Sequence, residues 1–197
     1  MNTPPLAGIG FFAHTGWAAA VALAGPVDSP RVAARRRLDL WEGPDAHAYH
    51  RAAELDSRAA RELIARAVDL SRRRAVDALQ TLLAGLGARA AGAVIVGGNA
   101  RIPADLAAVL RSHPLVHGAE GELFRNALAA ACAAANVQVQ IVPARDLHAR
   151  AAGAVRLPPA GLSRRITELG RTVGSPWGKD QKDCAAAAWL ALAGDPG

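Results

Sequence analysis

Between Ile9 and Trp41 short apolar blocks alternate with turn signals, and the pattern predicts an opening of three antiparallel strands. Ile9-Gly10-Phe11-Phe12-Ala13 forms the first, His14-Thr15-Gly16 a turn or bulge, and Trp17 to Ala24 the second. Gly25-Pro26-Val27-Asp28-Ser29-Pro30 is a turn, and Arg31 to Trp41 is a third strand, placed near a sheet edge by its many charges. The period then changes. Ala60, Leu63, Ile64, Ala67, Leu70, Leu79, Leu82, Leu83 and Leu86 recur at helical spacing, with Ser57 as N-cap and Gly85 or Gly87 as the stop. Ala93-Val94-Ile95-Val96 reads as a short buried strand closed by Gly97-Gly98-Asn99. A helix from about Pro103 breaks around His113-Pro114 and resumes from Gly118 or Ala119 to Ala135. Val137 to Val142 is a fifth strand, and Pro158-Pro159 and Gly161 mark a loop before the last helical region. The order is three strands, helix, strand, helix, strand, helix, in one domain spanning residues 1–197.

The sharpest local feature opens that last helix. Gly174-Ser175-Pro176-Trp177-Gly178-Lys179-Asp180-Gln181-Lys182-Asp183 runs directly into the apolar Cys184-Ala185-Ala186-Ala187-Ala188-Trp189-Leu190. Asp180 and Asp183 therefore sit at the positive end of a buried helix and project from one side of it. Asp183 shares its face with Ala186, Ala187 and Leu190, which turns it toward the protein body. The bland role for such acids is to offset the helix dipole and to pair with Lys179, Lys182 or an arginine.

Composition adds bounds rather than identity. The 197 residues are 51% hydrophobic but only 4% aromatic, so alanine-rich helices must pack closely with few large anchors. Cys132 and Cys184 lie in alanine-rich helical runs and read as small buried apolar residues, not a disulfide framework. No apolar run is long enough to span a bilayer and no signal segment opens the chain, which predicts a cytoplasmic protein with no membrane partner. The net charge of +6 favours a polyanion, though an arginine-rich genome supplies such an excess by default.

The element order and the acid pair together resemble the ribonuclease H-like superfamily, and within it the Holliday-junction resolvases of the RuvC type. Asp180-x-x-Asp183 followed by Cys184-Ala185 is similar to the acid-x-x-Asp-Ala opening of the resolvase's last helix, and His14-Thr15-Gly16 stands where the first strand would end in Asp-Pro-Gly. The resemblance implies an α/β fold: a mixed five-stranded sheet, three strands antiparallel and then alternating helices and strands, flanked by helices. It also implies a site in which four carboxylates hold two divalent ions, Mg²⁺ or Mn²⁺, for phosphodiester cleavage. Here Asp180, Asp183 and His14 would be the metal ligands. Two acids expected on the sheet are missing: His14 takes the first-strand position and Gly97-Gly98-Asn99 the place of a fourth-strand glutamate. Imidazole in place of carboxylate shifts preference from Mg²⁺ toward Mn²⁺ or a softer ion.

The second concentration of chemistry is His113-Pro114-Leu115-Val116-His117-Gly118-Ala119-Glu120-Gly121-Glu122. On a continuous helix His113, His117 and Glu120 would share a face as two imidazoles and a carboxylate, but Pro114 and Gly118 argue against that continuity. The economical reading starts a helix at Gly118 or Ala119. Glu120 and Glu122 then lie in its first turn, offsetting the dipole and pairing with Arg125, or standing in for the missing sheet glutamate in catalysis. His47-Ala48-Tyr49-His50 reads as a loop and Arg35-Arg36-Arg37 as a solvated strand face. Trp17, Trp177 and Trp189 offer stacking surfaces for bases, Trp189 being better suited to packing. Lys179 and Lys182 would hold phosphate beside Trp177.

Three functions remain open on sequence: a divalent-metal-dependent nuclease acting on structured DNA, a non-catalytic ribonuclease H-like module binding nucleic acid or a protein, and a small-molecule enzyme using the histidine and acid cluster. The expected partner is nucleic acid, and the sequence leaves a homodimer open.

Overall fold

The computed structural model describes residues 3–43, 46–98 and 101–194. Five strands, β1 (Leu6–His14), β2 (Trp17–Ala24), β3 (Arg31–Asp39), β4 (Arg89–Gly97) and β5 (Val139–Pro143), form one sheet in the order β3-β2-β1-β4-β5. The first three are sequential antiparallel neighbours, while β4 and β5 join in parallel beyond β1. Among the described residues there are seven helices: α1 (Ala48–Ala52), α2 (Ser57–Ala84), α3 (Leu106–Leu110), α4 (His113–Ala134), α5 (Ala144–Ala154), α6 (Pro159–Val173) and α7 (Lys179–Ala193). Asn99, part of the predicted strand-closing turn, lies outside the described residues.

Strand alternation sorts the two cores. Ala7, Ile9 and Phe11 of β1, with Ala18, Ala20 and Ala22 of β2, pack with α2 and α4 on one face. Ala19, Val21 and Leu23 of β2 and Val94 and Val96 of β4 pack with α5, α6 and α7 on the other. On that second face β1 contributes Gly8 and Gly10, and the reason is spatial. A Cβ on Gly8 would lie 2.1 Å from the Ala188 carbonyl, and one on Gly10 would lie 2.0 Å from the Cys184 carbonyl. The alanine run Ala185–Ala188 and the two glycines thus bring helix and strand backbones together without side chains between them. Leaving its N-terminus at the edge where β1 ends, α7 runs back along the strand, so Cys184 lies over Gly10 and Leu192 over Gly8.

Several boundaries differ from those predicted. The second strand matches, and α2 starts at Ser57, but the N-cap is Asp56, not Ser57, because the Asp56 carboxylate accepts from the amides of Arg58 and Ala59. The helix read as starting at Gly118 or Ala119 begins instead at His113, because Pro114 falls in the first turn, where its missing N–H costs nothing. His47 to His50, read as a loop, runs into the one-turn α1. Pro159, read as loop, likewise opens α6. The last helical region is two helices, α6 and α7, and α5, which lies before it, is not foreseen by the sequence, since it follows β5 directly with Pro143 as N-cap and no capping side chain. Among the described residues no helix is long and apolar enough to cross a membrane. Cys132 and Cys184 are free and buried.

Candidate functional site

His14 ends β1 on the same side as Gly8 and Gly10, and this parity aims it at the first turn of α7. Its Nε2 lies 2.8 Å from Asp180 Oδ2, with each side chain about one-third exposed or less. The register of β1 with β2 pairs His14 with Trp17, and the imidazole stacks on the indole at 4.1 Å with planes 10° apart. From the far side of β2, β3 supplies Arg37, whose guanidinium carbon stands 4.0 Å from the Trp17 ring and whose Nε donates to Asp39 at 3.0 Å. An acid, an imidazole, an indole and a guanidinium therefore follow one another across the edge of three strands.

Asp183, one turn further along α7, is buried at 7% exposure. One oxygen is 2.8 Å from His148 Nε2, on α5, and the other accepts from Lys179 Nζ at 2.5 Å. Burial pushes its carboxyl upward, but the hydrogen bonds from His148 and Lys179 outweigh that and hold it below the ordinary value. The same bond to Asp183 raises the Lys179 ammonium against a smaller opposing effect of burial. Lys179 also lies 5.3 Å from the Phe12 ring. The approach to α7 is pinned by Arg35, which donates to the carbonyls of Gly174, Ser175 and Pro176, and by Gln181, whose side chain accepts from the Gly178 amide.

The remaining predicted site residues are distributed differently. Lys182 is exposed on α7. Trp177 is half-buried against Gly170 of α6 and donates its indole N–H to the Ile166 carbonyl. Trp189 is buried and donates to the Val27 carbonyl. Glu120 and Glu122 lie on α4, which covers the opposite face of the sheet from α7. Neither is in the first turn. Glu122 is 2.8 Å from Arg125, the pairing expected, whereas Glu120 is buried and bonded to His50 and the Tyr49 amide. Sequence reading missed His148 and Arg37 as neighbours of this site, and it offered Trp17 as a stacking surface without its contact to His14. Trp17 and Arg37 become legible only through strand register, and His148 only through an α5 that no cap announces.

The donor set can be tested against the pair of divalent ions that the fold implies. Among the described residues, no group of three ligand atoms within 4.8 Å of one another includes His14, Asp180, Asp183 or His148. Asp180 and Asp183 come from one helix, β4 ends in Gly97-Gly98 rather than an acid, and an ammonium occupies one oxygen of Asp183. These residues do not fit a two-metal carboxylate site.

No protein-family model matches the chain, and neither does any curated protein. Among solved structures, the chain is similar to Thermus thermophilus RuvC in complex with a Holliday junction substrate, at a TM-score of 0.53 and 12% identity, covering 95% of this chain and 92% of that one. A second structure of Thermus thermophilus RuvC aligns at a TM-score of 0.48 and 12% identity, over 94% and 92% of the two chains. At this identity the likeness is one of fold, a mixed five-stranded sheet flanked by helices. The chain has the ribonuclease H-like fold seen in RuvC.

Proposed function

We propose that this protein is a ribonuclease H-like nucleic-acid-binding module whose sheet edge, at His14, Trp17 and Arg37, together with Lys179 at the start of α7, meets the phosphate backbone and stacks on a base without metal-dependent cleavage. One observation carries this reading: each carboxylate of α7 is already engaged by a side chain of the protein, Asp180 by His14 and Asp183 by His148 and Lys179. The acids so paired set the positions of imidazole and ammonium groups at the rim. Guanidinium and indole beside them are the groups that hold phosphate and stack on bases. The net charge of +6 and the DNA-bound state of the similar RuvC structure support the same partner class.

The competing reading is a divalent-metal-dependent nuclease acting on structured DNA, favoured by the gathering of His14, Asp180, Asp183 and His148 at the start of α7. Mg²⁺ or Mn²⁺ would then be the cofactor. One paired experiment separates the two. Binding to labelled single-stranded, duplex and four-way-junction DNA is measured by fluorescence anisotropy, and cleavage of the same substrates is followed with Mg²⁺ and with Mn²⁺. Binding that weakens in Arg37→Ala and Trp17→Ala, with no cleavage under either ion, supports the module. Metal-dependent cleavage by the wild type that is lost in Asp183→Asn establishes the nuclease, and absence of binding to every substrate removes both.

A further inference from the structure

Of the six histidines in the chain, His14 and His148 pair with the acids of α7, and the other four gather elsewhere. His47 and His50 flank the start of α1, and His113 and His117 stand one turn apart at the start of α4. This second group is on the α2 and α4 side of the sheet, near the same edge as His14. The β1–β2 turn links the two regions, since a Cβ on Gly16 would lie 3.0 Å from Ala46, the residue before His47.

We propose that His50, His113 and His117 bind one transition-metal ion of the zinc class, oriented by Glu120. One ligand atom from each of the three rings lies within 4.8 Å of the other two. His113 Nε2 and His117 Nε2 are 3.0 Å apart. Two imidazole nitrogens on one tetrahedral Zn²⁺ at the usual bond length stand roughly 3.3 Å apart, so a small adjustment of exposed side chains admits the ion. The i, i+4 spacing provides this directly once α4 begins at His113, the continuity that Pro114 and Gly118 had argued against.

His50 completes the set from a neighbouring helix. Its Nδ1 lies 3.0 Å from Glu120 Oε2, which leaves Nε2 as the ligand atom. Glu120 is only 2% exposed and also accepts from the Tyr49 amide at 3.2 Å. A carboxylate that fixes the tautomer and orientation of a metal-bound histidine through its second nitrogen is the usual outer support of zinc sites. It also explains a costly feature, because a buried carboxylate needs positive charge nearby and a metal-bound imidazole supplies it. Three neutral nitrogen donors favour Zn²⁺, Co²⁺ or Ni²⁺ over Mg²⁺ or Ca²⁺, which prefer oxygen. Exposure of His113 and His117 keeps a fourth position open to solvent.

The test uses full-length protein treated with a chelator and then titrated with Co²⁺ and with Zn²⁺. The expected result is one equivalent of Co²⁺ with the intense visible absorption of a tetrahedral nitrogen site, displaced by Zn²⁺, and a Zn²⁺-dependent rise in melting temperature. His113→Ala and His117→Ala, at exposed positions, should each abolish the absorption while leaving the metal-free melting curve unchanged. Glu120→Gln should weaken affinity by about 10–100-fold, as loss of an outer partner does. Asp183→Asn, at the other site, should bind Co²⁺ as the wild type does. Absence of a cobalt spectrum in the wild type, or its survival in His117→Ala, overturns the assignment, and if Glu120→Gln does not fold the two exposed histidine variants decide alone.

Discussion

His14 and Asp180 are 166 positions apart in the chain and 2.8 Å apart in space. Two local facts produce this meeting. Strand alternation turns His14 to the face that carries Gly8 and Gly10, and those glycines let α7 lie close enough along β1 for its first turn to reach the strand's end. A partly exposed pair of this kind is worth only about 0.2–1 kcal/mol. His14→Ala should therefore shift the melting temperature by no more than about 4 °C, given the usual scaling for a domain of this size. Nucleic-acid affinity should fall several-fold in the same variant, and a loss of stability without a loss of binding would separate the pair from the interface.

Gly10→Ala places the opposite demand on the fold. The new methyl carbon would meet the backbone of α7 at Cys184 and Ala188, which cannot rotate away. Overpacking of this kind costs about 1–3 kcal/mol and sometimes more. The expected outcome is a clear drop in the urea midpoint together with weaker nucleic-acid binding, because α7 and the acids it carries must lift from β1. An unchanged midpoint would contradict the close approach.

Much of this arrangement was legible in the sequence. The turn at Gly25–Pro30 and the alternation around it defined β2 and β3, and the acid pair before Cys184 located the start of α7. What the sequence hid were relations fixed by other elements. Asp183 pairs with Lys179 as the sequence suggests, but its second partner, His148, stands on a helix whose N-cap is a proline with no capping oxygen. Arg37 is exposed, as its place on a charged strand face predicts, but only the register of the strands shows that it also lies against Trp17. Pro114 looked like a helix breaker because its position relative to the N-terminus of α4 was not fixed by any cap signal. Ser112, the N-cap, makes no side-chain capping bond.

Binding through Arg37 and the lysines must depend on salt. Neutralising about five phosphates of duplex DNA predicts a log–log slope of affinity against salt near −4.5. Arg37→Ala should make that slope shallower by about one unit while weakening binding to all sequences alike. A flat salt response would assign the net charge of +6 to composition and not to a phosphate-binding edge.

The burial of Cys132 pushes its thiol up to about 12, and Cys184 is raised by burial and by the nearby charges of Asp180 and Asp183. Since the thiolate is the reactive form, neither cysteine should be alkylated in the folded protein at pH 8. Labelling followed by mass spectrometry should show both thiols reacting only as the protein opens, with Gly10→Ala labelling faster than wild type at Cys184. Rapid modification of Cys184 in native wild-type protein would contradict the packing of α7 on β1.

The Asp183 pair gives the stability of the protein a pH signature. Its carboxyl is held below the ordinary value of 3.8, so the folded state binds the proton less tightly than the unfolded chain does. That contribution is complete above pH 4 and is lost as pH falls through the lower folded value. Lys179 is raised above 10.5, so its contribution is complete below that pH and is lost as pH rises through the folded value. The interaction therefore operates between about pH 4 and pH 10. Asp183→Asn keeps an acceptor but not the charge, and the loss of charge-assisted bonds from His148 and Lys179 should cost about 1–3 kcal/mol within that window. Melting temperatures of wild type and variant, measured from pH 3 to pH 8, should differ most at neutral pH and converge toward pH 3. A gap that stays constant across the acid limb would mean that the carboxylate charge of Asp183 does not hold α5 and α7 together.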